Sequence, residues 1–127
     1  MPKAVARIVF CEDNPTIQRL IQASMRGSGH DIVIAGDGAE GLRLLSETGA
    51  DLVVTDLSMP QMDGLELLAR LQADPALAAI PVIVLTASTD QARVSDILER
   101  GATDYITKPF PPRQLLARIE EALPQRS

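Results

Sequence analysis

Five apolar runs of strand length alternate with five helix-periodic stretches along this chain, and that alternation limits its possible folds more than any other feature. The runs are "AVARIVF" (Ala4 to Phe10), "DIVIA" (Asp31 to Ala35), "ADLVVTD" (Ala50 to Asp56), "IPVIVLTA" (Ile80 to Ala87) and "TDYITK" (Thr103 to Lys108). Ile17, Leu20, Ile21 and Met25 recur at helical spacing after the first run, behind an Asn14-Pro15 start and ahead of Gly27 and Gly29. Asp37 caps a second helix carrying Leu42, Leu44 and Leu45, which stops at Gly49. Leu65, Leu67, Leu68 and Leu71 mark a third helix, Val94, Ile97 and Leu98 a fourth, and Leu115, Leu116, Ile119 and Leu123 a fifth. Strand-helix alternation of this kind predicts an α/β fold, a doubly wound five-stranded parallel sheet with helices on both faces. The third and fourth runs are apolar at nearly every position, as both-face burial requires.

The 127 residues read as a single domain, 1–127 with a core of about 5–123, and no output domain is visible. With only Phe10, Phe110 and Tyr105 as aromatics, the core is expected to be aliphatic. The net charge of -5 argues against direct nucleic-acid binding, which needs a basic face. Cys11 is alone, so it forms no disulfide framework and reads as a small buried hydrophobe. No apolar run approaches a membrane span and no signal-peptide pattern opens the chain, so no membrane contact and a cytoplasmic location are expected. Met1 beside the first strand favours a natural start, although a domain excised from a longer protein has the same appearance.

Open parallel sheets bind ligands beyond the carboxyl ends of their strands, where the strand order reverses. The polar residues collect there. The first strand ends in Cys11-Glu12-Asp13, the third in Asp56, the fourth in Thr86-Ala87-Ser88 and the fifth in Thr107-Lys108-Pro109. Three acids held close repel one another, so positive charge must sit among them. Lys108 supplies one charge, and a divalent cation is the natural second. Oxygen-only ligands favour Mg²⁺, Mn²⁺ or Ca²⁺ over zinc, and a water-rich site with two or three carboxylates suits Mg²⁺. Mg²⁺ beside a Lys, a Thr and a nucleophilic carboxylate is a phosphoryl-transfer constellation. Taken singly, each residue has a plainer explanation. Glu12 and Asp13 could be a solvated turn, Thr86 a β-branched strand residue, Tyr105 a packing aromatic and Lys108 a surface lysine. Met59 and Met62 read as loop packing, and His30 is given no role.

The blocks "VFCEDN", "VVTDLSMPQMDG", "VIVLTA" and "YITKPF" resemble the receiver domain of bacterial two-component response regulators, in the right order and over essentially the whole chain. The resemblance implies a flavodoxin-like (βα)5 fold with strand order 2-1-3-4-5. It implies that Asp56 is the phosphoacceptor and Asp13 a direct Mg²⁺ ligand, with Mn²⁺ an alternative ion. Glu12 acts on the ion through a water, and the Ser58 backbone carbonyl is a further ligand. Thr86 hydrogen-bonds a phosphoryl oxygen, Lys108 pairs with the phosphoryl group across a cis bond to Pro109, and Thr86 with Tyr105 forms the switch. Ser58 and Ser88 occupy the positions that tune phosphoaspartate lifetime. The implied partners are a sensor histidine kinase or histidine phosphotransferase and a downstream target protein. The implied chemistry is confined to the domain's own phosphorylation and autodephosphorylation, so it is not an enzyme acting on other substrates.

Three other functions share parts of this pattern. A pseudo-receiver would have the fold without phosphorylation, but the intact acids and Lys108 argue against it. An aspartate-nucleophile phosphatase needs a second acid two residues after the nucleophile, where this chain has Ser58. A flavin- or nucleotide-binding flavodoxin-like protein lacks support because no Gly-rich phosphate loop follows the first strand.

Overall fold

All five apolar runs join one parallel sheet in the computed structural model, which describes residues 5–87 and 91–123. The strands are β1 (Arg7–Cys11), β2 (Asp31–Ala35), β3 (Leu52–Asp56), β4 (Val82–Thr86) and β5 (Asp104–Thr107). The helices are α1 (Pro15–Met25), α2 (Gly38–Thr48), α3 (Gly64–Ala73), α4 (Gln91–Glu99) and α5 (Pro112–Ala122). The strand order is β2-β1-β3-β4-β5. After β1 the chain crosses to β2 on one side and then returns to place β3 on the other. The crevice between β1 and β3 is therefore the topological switch point.

Side-chain alternation divides the core between the two faces. Ile8, Phe10, Leu52, Val54, Ile83, Leu85 and Ile106 point to the face covered by Ile21 of α1 and Leu115 and Ile119 of α5. Val9, Val53 and Val84 point to the other face, under Leu45, Leu67, Leu71 and Ile97 from α2, α3 and α4. The core is aliphatic apart from Phe10 and Phe110, both in the α1/α5 layer. Cys11 is buried and its thiol is pushed up to about 12, by burial first and then by the charge of Asp37. The thiol therefore stays protonated, as a small core hydrophobe should.

Strand boundaries differ from the apolar runs where side chains or proline take over the backbone groups. β1 begins at Arg7, with Val5 and Ala6 ahead of it outside the strand, and Ala4 lies outside the described residues. The Ala6 amide donates to His30 Nδ1 at 3.0 Å and the Arg7 amide donates to Asp51 Oδ2 at 2.8 Å. At its other end β1 continues through Cys11, which pairs with both Ala35 and Thr55. β4 begins after Pro81, which has no N–H to give the ladder. The caps follow their sequence signals. Asn14 Oδ1 accepts the Thr16 amide at 2.8 Å and Asp37 Oδ1 accepts the Glu40 amide at 2.8 Å. His30 has a structural place that its sequence position conceals. Its buried ring accepts from Ala6 and lies 2.8 Å from Glu120 Oε1, joining the start of the sheet to α5.

Candidate functional site

β1, β3 and β5 deliver their polar ends to one edge of the sheet. The Glu12 amide donates to the Ala35 carbonyl at 3.0 Å, so the β1–β2 ladder runs to the first acid of the site. The Leu57 amide donates to Leu85 O and the Lys108 amide to Thr86 O, both at 2.8 Å, which extends the ladder on either side of β4 past the strand ends. Backbone pairing thus sets where Glu12, Asp56 and Lys108 stand before any side chain interacts.

Carboxylate oxygens of Glu12, Asp13 and Asp56 lie within 4.8 Å of one another. Glu12 is fully buried and Asp56 nearly so, while Asp13 is exposed. Lys108 Nζ donates to Asp56 Oδ1 at 2.8 Å and lies 3.6 Å from Glu12 Oε1. Glu12 Oε2 accepts the Asn14 amide at 3.1 Å, and Gln18 Nε2 donates to the Glu12 carbonyl at 2.6 Å. Glu12 Oε1 is buried with no hydrogen-bond partner. Burial, first, and the nearby Asp56 charge push the Glu12 carboxyl up to about 7, against the opposing effects of the Asn14 amide and Lys108. A buried carboxylate oxygen that has no hydrogen bond and only a 3.6 Å ion pair to Lys108, among three converging acids, is a good fit to a hard divalent cation.

The remaining expected site residues divide by position. Ser58 is exposed and lines a cleft of about 430 Å³ with Asp13, Leu57, Met59, Pro60, Asp63 and Arg93. Thr86 is buried at the end of β4, one residue beyond Leu85, the neighbour of Asp56 in register. The Lys108-Pro109 bond is cis. Tyr105 stands apart from the acids. It is half-buried and lines a separate cavity between α4 and β5, of about 490 Å³, with Val94, Leu98 and Thr107. Ser88 lies outside the described residues.

A close backbone approach shapes the loop after β3. Gly64 is needed for close approach: a Cβ there would meet the Asp56 carbonyl oxygen at 2.5 Å and the Leu57 Cα at 3.1 Å. The first turn of α3 thus backs directly onto the chain that carries Asp56. Asp63 caps that turn, its Oδ1 accepting the Glu66 amide at 2.8 Å. The left-handed residue of the loop is Gln61, with φ 69°, which no Gly or Asn signal marks. Met62 is buried beneath Gly38 of α2, and Met59 packs at the core margin, so both are loop packing. No motif marks Gln18 or Arg93, since each reaches the site from a helix by tertiary placement alone.

A family model for the response regulator receiver domain matches residues 8–120. The chain belongs to the response regulator receiver domain family. Among curated proteins it is 38% identical over 117 residues to the DNA-binding response regulator MtrA of Mycolicibacterium smegmatis, covering 92% of this chain and 50% of MtrA. The chain spans about half the length of this and similar curated relatives. Their DNA-binding name leaves the expectation of no nucleic-acid contact without support. In structure the receiver is similar to the chemotaxis response regulator CheY4 of Vibrio cholerae, with TM-score 0.88 and 25% identity over 94% of this chain and all of CheY4. It is also similar to the receiver domain of the sensor histidine kinase PA1611 of Pseudomonas aeruginosa, with TM-score 0.84 and 28% identity over 94% of this chain and 98% of that one. That structure has a magnesium ion coordinated in its active-site cleft. The expected receiver fold and strand order are those observed. No helix among the described residues is long and apolar enough to cross a membrane.

Proposed function

We propose that this receiver is a phosphorylation-driven switch of a two-component phosphorelay, with Asp56 as its phosphoacceptor. The placement of Asp56 carries this reading: a nearly buried carboxylate at the end of β3, 2.8 Å from Lys108 Nζ and beside Glu12 and Asp13. An ionised carboxylate attacks phosphorus without a general base. One Asp56 oxygen forms the new bond to phosphorus, and the bond from phosphorus to the imidazole nitrogen of a partner phosphohistidine breaks, the electron pair leaving with the imidazole. Lys108 offsets the repulsion between the two negative reactants, and Thr86 donates to a phosphoryl oxygen. Mg²⁺, or Mn²⁺, held by Asp13, Asp56, the Ser58 carbonyl and, through water, Glu12, would neutralise phosphoryl charge. The magnesium ion in the PA1611 receiver supports this choice of ion.

The chemistry is confined to the receiver's own phosphorylation and dephosphorylation, so the protein is a switch rather than an enzyme with an external product. Its donors are a sensor histidine kinase or a histidine phosphotransferase, in the cytoplasm. Its output is a target protein, or a DNA-binding half where a receiver is joined to one as in MtrA. Ser58 and Ser88 carry no carboxylate or carboxamide to orient an attacking water, which favours a long-lived phosphoaspartate. Replacing them together, Ser58→Asn with Ser88→Glu, should speed phosphate loss. Ser58 also weighs against the phosphatase reading, which needs an acid at that position. The test is incubation with Mg²⁺ and acetyl phosphate followed by intact-mass analysis. A phosphoryl adduct in the parent that is absent in Asp56→Asn supports the switch. Steady release of phosphate from unrelated monoesters supports the phosphatase.

A further inference from the structure

Arg93, the third residue of α4, lines the cleft whose wall includes Asp13 of the acid cluster and Leu57 and Ser58, the two residues after Asp56. The other charged residues lining that cleft are Asp13 and Asp63. Arg7, Arg43, Arg70, Arg100 and Arg118 each pair with a carboxylate within 3.3 Å. The exposed Arg93 guanidinium has no hydrogen-bond or ion-pair partner among the described residues. Lys108 cannot serve the mouth of the site, because its ammonium is mostly buried and already donates to Asp56. An incoming dianion therefore meets Asp13 and Asp63, with Arg93 the one uncommitted cation among the described residues that line the cleft.

We propose that Arg93 is a donor-binding residue that draws dianionic acyl phosphates into this cleft and holds them for transfer to Asp56. The inference rests on Asp56 being the phosphoacceptor. Attack by Asp56 requires the leaving group to point away from it, outward along the cleft, where a guanidinium can take two oxygens of the donor. In the transfer an Asp56 oxygen bonds to phosphorus and the bond from phosphorus to the acyl oxygen breaks. The electron pair departs with the carboxylate, so no proton moves and charge is conserved. An exposed guanidinium acts mainly on the encounter, so its effect belongs in the second-order rate constant and its salt dependence.

The experiment measures initial phosphorylation rates by intact mass, in saturating Mg²⁺, at low and high ionic strength. The donors are acetyl phosphate, a dianion, and phosphoramidate, a monoanion whose leaving group departs as ammonia. Arg93→Gln is expected to lower the low-salt acetyl phosphate rate about fivefold, with a smaller effect on phosphoramidate. It should also flatten the salt dependence, and Arg93→Lys should restore that dependence. Unchanged rates and salt slope in Arg93→Gln would overturn the inference while leaving Asp56 as phosphoacceptor. So would an equal loss with both donors at an unchanged salt slope, which is what a structural role produces. A parent protein that neither donor phosphorylates overturns both readings.

Discussion

Fully buried, with one carboxylate oxygen lacking a hydrogen-bond partner, Glu12 carries an electrostatic penalty that a bound cation would remove. In the folded, metal-free protein its carboxyl keeps its proton up to about pH 7, whereas an ordinary Glu ionises near 4.5. The folded state binds more protons across that window. Stability from this group is therefore complete below about pH 4.5 and is lost as pH rises through about 7. With chelator present, Tm should fall by several degrees across this interval, and Glu12→Gln should flatten the fall. A parent and a Glu12→Gln protein with superimposable Tm profiles would remove Glu12 as the cause. Millimolar Mg²⁺ should raise Tm by linkage, and Asp13→Ala should abolish most of that rise. A full Mg²⁺ response in Asp13→Ala would place the ion elsewhere. The acids and Lys108 were legible in the sequence because strand ends deliver them. The unsatisfied oxygen of Glu12 was not, since it depends on how deeply the β1 end is buried.

Backbone approach explains the loop between β3 and α3, where sequence signals were least informative. The Asp63-Gly64 step is recognisable as a helix start, but the contact of Gly64 with the Asp56 carbonyl exists only once α3 lies against β3. Gly64→Ala should cost about 2–3 kcal/mol in chemical denaturation, because the clash is with backbone and not with a movable side chain. It should also slow phosphorylation by shifting the chain that carries Asp56. Unchanged stability in Gly64→Ala would mean that the first turn of α3 can retreat freely. Element order and helix caps were readable from periodicity and from Asn14-Pro15 and Asp37. The start of β1 was not, because His30 and Asp51 take the Ala6 and Arg7 amides from residues distant in sequence.

Across the whole molecule, Thr86 ends β4 beside the register neighbour of Asp56, and Tyr105 lines the α4–β5 cavity from the neighbouring strand β5. If Asp56 is the phosphoacceptor, as proposed, phosphorylation would add negative charge and acceptor oxygens there, to which the Thr86 hydroxyl would turn. The space it vacates would accept Tyr105, the only Tyr of the chain, and reshape the face formed by α4, β5 and α5. Such a change would be a population shift limited by the differential contacts that the phosphoryl group makes. Thr86→Ala should still accept phosphate but transmit it poorly, with NMR shift changes around Tyr105 much smaller than in the phosphorylated parent. Equal shift changes in the two proteins would break the proposed coupling. All of this depends on which atom receives the phosphoryl group, and borohydride trapping answers that directly. Borohydride reduces an aspartyl phosphate to homoserine, and peptide mass mapping then locates the product. Homoserine in place of Asp56, formed only after treatment with Mg²⁺ and phosphodonor, is the predicted result. Homoserine at another aspartate, or a phosphoryl adduct that resists borohydride, would contradict the account.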